Sequence, residues 1–443
     1  MTRGKLLPLT ALSLWLVLLP SLAMQTAVPV TVSVTFHDQP ADALIRILKN
    51  DRTLGVEYTD VHTPGQARFS LPPGDYTLSV EHGARFTSLS KTLALSVKPG
   101  SPVSATVEIE RLLPPRTEGY YSADLHAHTI ASAAAMERDF GIRNHGVTPV
   151  DQAIGVQLAA DLDVMFISDH NSVDGHELFA RTAQERGVPF ILSEEITTIR
   201  WGHFNPYSLR PGELVEFKFD TLPSQFFEEA RAKGAVMIQV NHPLDPTGGY
   251  FFTRNQPEFD PSFDAVEVFN GSFGESDNQA VLQMFRYWNE SKRYVATAVS
   301  DDHDWRELGD QYGTPRTYVR VEGAITAEKF LASLKAGHAF VTYGPMLFVT
   351  ANGSAIPGDT VQLSSGAKIA LAADVRSVVS LDAVKAEVIR NGERIQTFEL
   401  SGSAQMLSFE DSATANGWYV VRLVDAQRKY LALTNPIWVA VER

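Results

Sequence analysis

The sequence predicts an α/β barrel carried between two β-sandwiches, and three observations predict it. Residues 117–345 alternate short apolar runs with segments of helical period. Residues 27–115 and 346–443 read instead as short alternating strands joined by turns. The apolar runs of the middle part also break off, one after another, at histidines and carboxylates. A chain of 443 residues has room for these three units.

Composition narrows the class. Apolar residues make up 44% and charged residues 20%, the balance of a soluble globular protein. The formal net charge is −14 and no segment clusters Lys and Arg, which argues against a phosphate-tracking surface for nucleic acid. Cysteine is absent, so disulfides and thiol nucleophiles are excluded, and any metal must be held by nitrogen and oxygen. Residues 1–23 read as a secretory signal: Arg3 and Lys5 lead an apolar run, and Pro20-Ser21-Leu22-Ala23 offers small residues before a cut near Met24. The alternative is an uncleaved N-terminal anchor. No other stretch is long and apolar enough to span a bilayer. The expectation is an exported protein, periplasmic or secreted, with no transmembrane segment once the signal is removed.

In the first sandwich, Val28-Pro29-Val30-Thr31-Val32-Ser33-Val34 alternates, and Pro72-Pro73-Gly74-Asp75 is a turn feeding the strand from Tyr76 to Val80. A third strand follows Ser101. His37, His62 and His82 form no cluster and read as exposed or structural. Leu113-Pro114-Pro115-Arg116 is a stiff linker.

Beyond it, Thr148-Pro149-Val150-Asp151 is a helix start, with a capping Thr and Pro at the first position. Ala153, Ile154, Leu158 and Leu162 then recur at helical spacing. Asp163-Val164-Met165-Phe166-Ile167 is short and apolar enough for a strand buried on both faces. The cycle repeats through a helix closed by Gly187 and the strand 188–192, then a helix closed by Gly234 and the strand 235–240. Strands at 265–269 and 294–299 complete a parallel pattern. In the last hundred residues, strands are expected at 358–363, 384–389 and 417–423, with Asn391-Gly392 as a hairpin turn. No histidine lies there, so scaffolding or substrate-side contacts are expected.

Chemistry in such folds gathers at the C-terminal ends of the parallel strands. Here those ends read Asp124-Leu125-His126-Ala127-His128, Ser168-Asp169-His170-Asn171, Ser193-Glu194-Glu195-Ile196-Thr197, Asn241-His242-Pro243 and Ser300-Asp301-Asp302-His303. Loops add Asn144-His145-Gly146 and Trp201-Gly202-His203-Phe204-Asn205. On a strand, residues i and i+2 share a face, so His126 and His128 can reach one ion together. Converging imidazoles and carboxylates need a compensating charge, and divalent metal supplies it. His and carboxylate ligands suit Zn, Mn and Fe alike.

These motifs in this order resemble the polymerase and histidinol phosphatase (PHP) superfamily. The flanking Glu195-Ile196-Thr197-Thr198, Trp201-Gly202-His203-Phe204-Asn205 and Thr434-Asn435-Pro436-Ile437 resemble its carbaryl-hydrolase-like (CehA/McbA-type) branch. The resemblance implies a distorted (β/α)7 PHP barrel holding two or three divalent metal ions. It implies that His126, His128 and Asp301 bind a first metal, and that Glu195 bridges to a second completed by His203 and His242. His170 and His303 would hold a third or complete a shared site. Glu194 competes with Glu195 for the bridge. Residues 131–143 are an insertion, and His145 stands where many relatives have a ligand Asp; it is either a ligand to the third metal or a loop histidine. Glu267 is either a ligand or a neighbour of one. His176 and His338 match no motif and read as structural.

The same resemblance implies a hydrolase of small molecules that uses a metal-bridging hydroxide on an ester, carbamate or amide bond, with Asp301 moving the proton and Asp169 orienting a ligand. A phosphoesterase is the alternative, and a non-catalytic carbohydrate- or surface-binding protein with an inherited barrel is the second. Arg143, Arg200, Trp201 and Trp305 stand near ligands in sequence and are the substrate-binding candidates. The aromatic ones tilt the reading towards an apolar or aryl substrate, or a sugar stacked on Trp.

Overall fold

The computed structural model describes residues 26–306 and 312–442. The expected signal segment lies outside them. The architecture is mixed α/β: a six-stranded half-barrel sheet flanked by β-sheets on both sides.

The N-terminal strands form two four-stranded sheets. In one, Val28–Phe36 pairs with Gln39–Pro40, Gln66–Leu71 and, in parallel, Val103–Glu108. The other runs in the order Arg52–Tyr58, Leu44–Lys49, Gly74–Glu81, Lys91–Val97. Val28, Val30, Val32 and Val34 alternate inward and meet Ile45, Ile47, Leu78 and Val80 in one core.

The half-barrel has the order Met165–His170, Phe190–Thr198, Gly202–Tyr207, Met237–Asn241, Ala265–Asn270, Val295–Val299. Five of these strands were expected from their apolar runs, and Met165–His170 and Phe190–Thr198 carry their candidate ligand residues inside the strand rather than after it. Gly202–Tyr207 corrects the reading. It is a strand, not a loop, and it runs antiparallel to both neighbours. The physical reason is its connection: three residues separate it from Phe190–Thr198, enough for a hairpin and far too few for a crossover. The helix start is also corrected. The helix is Gln152–Ala159, capped by the Asp151 carboxylate. The Thr148 hydroxyl is occupied elsewhere, accepting from the Trp305 N–H and the Tyr312 hydroxyl.

The two ends of the half-barrel approach each other through Tyr120–Ala123 and its continuation. Ala123 bridges Val164, and Ala127 bridges Asp302. The Asp301 N–H donates to the His126 carbonyl and the His128 N–H to the Asp302 carbonyl, both at 3.0 Å. The residues after the first strand are thereby laced to those after the last.

A nine-stranded sheet joins the middle of the chain to its end. It contains Tyr120–Ala123, Arg316–Arg320 and Ala339–Thr342, and continues through Tyr430–Thr434, Gly417–Val424 and Ile437–Glu442 to Thr360–Ser364. The hairpin of Lys385–Arg390 and Glu393–Glu399 is added on Gly417–Val424, and its turn is Asn391 and Gly392, both at positive φ. Met346–Ala351, Ala367–Arg376 and Ala404–Ala413 form a facing three-stranded sheet. The Asn435 amide accepts from the Ala296 N–H at 2.8 Å and donates to the Ala296 carbonyl at 3.1 Å, finishing the edge of Val295–Val299.

Candidate metal centre

The centre is built on the segment after Tyr120–Ala123. Asp124 is fully buried and accepts from the backbone N–H groups of Ser300 (2.9 Å) and Gly313 (2.7 Å). Burial pushes its carboxyl up to about 6 against those bonds. It anchors the loop that carries Asp301 and His303.

His126 and His128 are both fully buried, with their Nε2 atoms 3.0 Å apart. Each is held from behind through Nδ1. His126 Nδ1 lies 2.9 Å from Glu267 Oε1, and His128 Nδ1 lies 3.3 Å from the Ser132 hydroxyl, which donates to Asp169. Glu267 itself accepts from Gln239 Nε2, the His242 N–H and Asn270 Nδ2.

Strand alternation separates the two neighbouring glutamates. Glu195 faces the imidazoles. Its Oε1 lies 3.2 Å from His126 Nε2, 3.1 Å from His203 Nδ1 and 3.3 Å from His242 Nε2, and accepts from Asn241 Nδ2. Its Oε2 meets His170 Nδ1 and the Thr197 hydroxyl. Glu194 faces the other way, accepting from the Val215 N–H with its second oxygen unpartnered.

Asp301 adopts left-handed backbone, φ 55°, which turns its carboxylate inward. Oδ1 lies 3.3 Å from His126 Nε2 and 3.1 Å from His128 Nε2. His303 Nε2 lies 3.2 Å from His170 Nε2. The His145 ring packs on His303 and His170, with centroids 4.1 and 4.9 Å away.

The charges of this cluster are matched internally. Burial opposes ionisation of Glu195 and Asp301, yet the surrounding imidazoles hold both carboxyls well below the usual range. Burial likewise disfavours a charged His126, but Asp301, Glu267 and Glu195 push it well upward. His242 is raised to about 9 over its burial cost by Glu195. Burial pushes His128, His170, His303 and His145 down. Paired Nε2 atoms at 3.0 and 3.2 Å in a largely buried site need a cation or a proton between their lone pairs. Among the described residues, three groups have ligand atoms close enough to hold divalent ions: His126, His128 and Asp301; His128, His170 and His303; and His170, Glu195 and His203. These shared clusters fit two or three metal ions with nitrogen and oxygen ligands.

Other sequence candidates lie outside this cluster, Trp201 among the residues that line a neighbouring cavity. The Arg143 side chain is 77% exposed and paired with Glu137. Trp201 is buried in the core and donates to the Thr221 carbonyl, with the Arg200 guanidinium 4.2 Å from its ring. Trp305 stacks on Tyr58 of the N-terminal sheet. His176 bonds the Ser193 carbonyl, and His338 pairs with Asp359. Asn241 and Thr197 hold Glu195 directly, contacts that sequence reasoning did not assign. A polar residue closing an apolar strand was the available signal for Asn241.

No family model matches the chain, and no curated protein matches it in sequence. Among solved structures, it is similar to a protein of Bifidobacterium adolescentis provisionally assigned as a metal-dependent phosphoesterase. The identity is 14% over 48% of this chain and 94% of that one, with a TM-score of 0.31. An amidohydrolase from Chromobacterium violaceum, with bound sulfate and no metal, is 17% identical over 41% of this chain and 87% of that one, with a TM-score of 0.28. The CARDB domain of a Pyrococcus furiosus protein covers 22% of this chain and 97% of its own at 17% identity, with a TM-score of 0.17. The likenesses are partial. The residues themselves define a mixed α/β protein with clusters of His, Asp and Glu able to hold divalent metal ions.

Proposed function

We propose that this chain is an exported metal-dependent hydrolase of the PHP superfamily, in its carbaryl-hydrolase-like branch, built on a distorted (β/α)7 barrel. It cleaves an ester, carbamate or amide bond of a small molecule. One observation carries the reading: the Glu195 carboxylate has His126, His203 and His242 around one oxygen and His170 at the other. A carboxylate so surrounded would hold divalent ions together with these imidazoles.

When bound, divalent ions acidify water and polarise the oxygen under attack. The chain's own groups do the rest. Glu267 fixes the His126 ring so that Nε2 points inward. Asp169 holds the Ser132 hydroxyl and, through it, His128. Asp301, with Oδ2 accepting from Asn270 and Oδ1 among the imidazoles, takes the proton from water and passes it to the leaving group.

The test is metal analysis of the purified protein with turnover of 4-nitrophenyl ester, carbamate and phosphate under added Mn or Zn. Ester or carbamate turnover that a chelator abolishes is expected. Turnover of the phosphate alone transfers the reading to a phosphoesterase, and a protein that binds no divalent metal removes the enzyme assignment. Asp301→Asn is expected to lower kcat by about 10²–10⁴; full turnover at unchanged metal content would remove the proton role. Export is read from Arg3, Lys5 and the apolar run after them. N-terminal sequencing of the mature protein should find a start near Met24.

A further inference from the structure

Beside the centre lies a cavity of about 730 Å³ that the roles above do not use. Its floor is Asn171 and Thr197, and both belong to the centre's support. Thr197 Oγ1 lies 2.7 Å from His170 Nδ1 and 3.0 Å from Glu195 Oε2. The Asn171 amide clamps Thr197, donating to its carbonyl and accepting from its N–H. One wall comes from the end of the helix Ala131–Phe140, inside the insertion that separates the first two ligand motifs. The facing wall is Phe217 and Phe219, with Ile199 at the hairpin turn.

The rim is mixed, with Glu216, Lys218 and Glu229 beside apolar side chains that stand out into water. Ile199 is 69% exposed and Phe219 70% exposed. Arg138, which also lines the space, is already paired with Asp139 at 2.7 Å. A cavity of this size, which reaches the centre through Thr197 and Asn171 and is edged in part by exposed apolar side chains, has the form of a substrate pocket.

Its position decides which part of the substrate it takes. Asp301 faces His126 and His128, whereas the cavity floor is bonded to His170 and Glu195. A substrate whose leaving group lies at Asp301 therefore directs its other half towards Thr197. We infer that this cavity seats the acyl portion of the substrate and selects a bulky apolar acyl group, with Ile199 and Phe219 as specificity-determining residues. This rests on the hydrolase reading and on the proton role given to Asp301.

The experiment holds the leaving group constant. Metal-loaded protein is assayed with 4-nitrophenyl acetate, butyrate, hexanoate and octanoate, beside Ile199→Asp and Phe219→Asp, whose exposed positions spare the core. Octanoate binding is measured separately by calorimetry. The expected result is a rise in kcat/KM of about tenfold or more from acetate to octanoate in the wild type, flattened in both variants. Turnover independent of acyl length, or a preference that both variants keep, overturns the inference. If no ester is cleaved, the bond reading fails, and the calorimetry decides the pocket. Octanoate bound by the wild type and weakened at least fivefold in the variants supports it; no binding, or equal binding, overturns it.

Discussion

Glu267 Oε1 lies 2.9 Å from His126 Nδ1, and both side chains are sealed from solvent. The carboxylate fixes the tautomer and makes the opposite nitrogen a better donor to an ion. Glu267→Ala is therefore expected to weaken metal binding by about 10–100-fold. Competition against a chromogenic chelator measures it, and an unchanged affinity would make the contact a packing detail.

Metal removal should also register in stability. The clustered imidazoles and acids attract an ion in the folded chain and are scattered in the unfolded one. A free ion at a hundred times its Kd adds about 2.7 kcal/mol at one site. Thermal melting with chelator should fall below melting with added Zn or Mn, and recover on metal return. Identical melting curves would speak against a bound ion in the native state.

Glu194 predicts a pH effect of unusual sign. Burial raises its carboxyl to about 8, so the folded chain holds a proton that the unfolded chain has lost above its ordinary pKa of 4.5. Stability from this group is greatest at acid pH and declines as pH climbs from about 4.5 towards 8. Glu194→Gln cannot titrate, so its stability relative to wild type should grow over that interval, reaching about 2–4 kcal/mol. Denaturant melts at pH 5 and pH 8 measure the difference, and a constant gap contradicts the assignment.

Glu387 gives the opposite case. Burial would raise its carboxyl, but Arg428, Arg394 and Arg422 hold it at about 2, below its ordinary 4.5. That stabilisation is complete above about 4.5 and is lost as pH falls towards 2. Glu387→Gln should cost about 2 kcal/mol at neutral pH and flatten the acid limb of the stability curve. An acid limb as steep as that of wild type would show that the three arginines do not act through this carboxylate.

Much of this was legible because short apolar runs and period-2 alternation are local signals. Met165–His170 and Ala265–Asn270 announce themselves by residue type, and so does the Asn391-Gly392 hairpin. The polar residues that end those runs likewise marked where imidazoles would gather. What escaped depends on partners distant in sequence. The direction of Gly202–Tyr207 follows from a three-residue turn whose Trp201 disappears into the core. That Glu195 and not Glu194 meets the histidines was expected from the resemblance alone, because buried residues on both faces of Phe190–Thr198 hide from any local pattern which face turns inward. The union of Ala339–Thr342 with Tyr430–Thr434 spans some ninety residues, beyond any local pattern.

The Asn435 amide that closes the edge of Val295–Val299 also ties together segments far apart in the chain. That strand leads directly into Asp301 and His303, yet this edge partner stands 139 residues further along the chain. The earlier strands of the half-barrel can pair among themselves, but the loop bearing these two residues gains this part of its support only once the later sheet has docked. Assembly of the later sheet is thereby a condition for settling the loop that carries two of the clustered side chains.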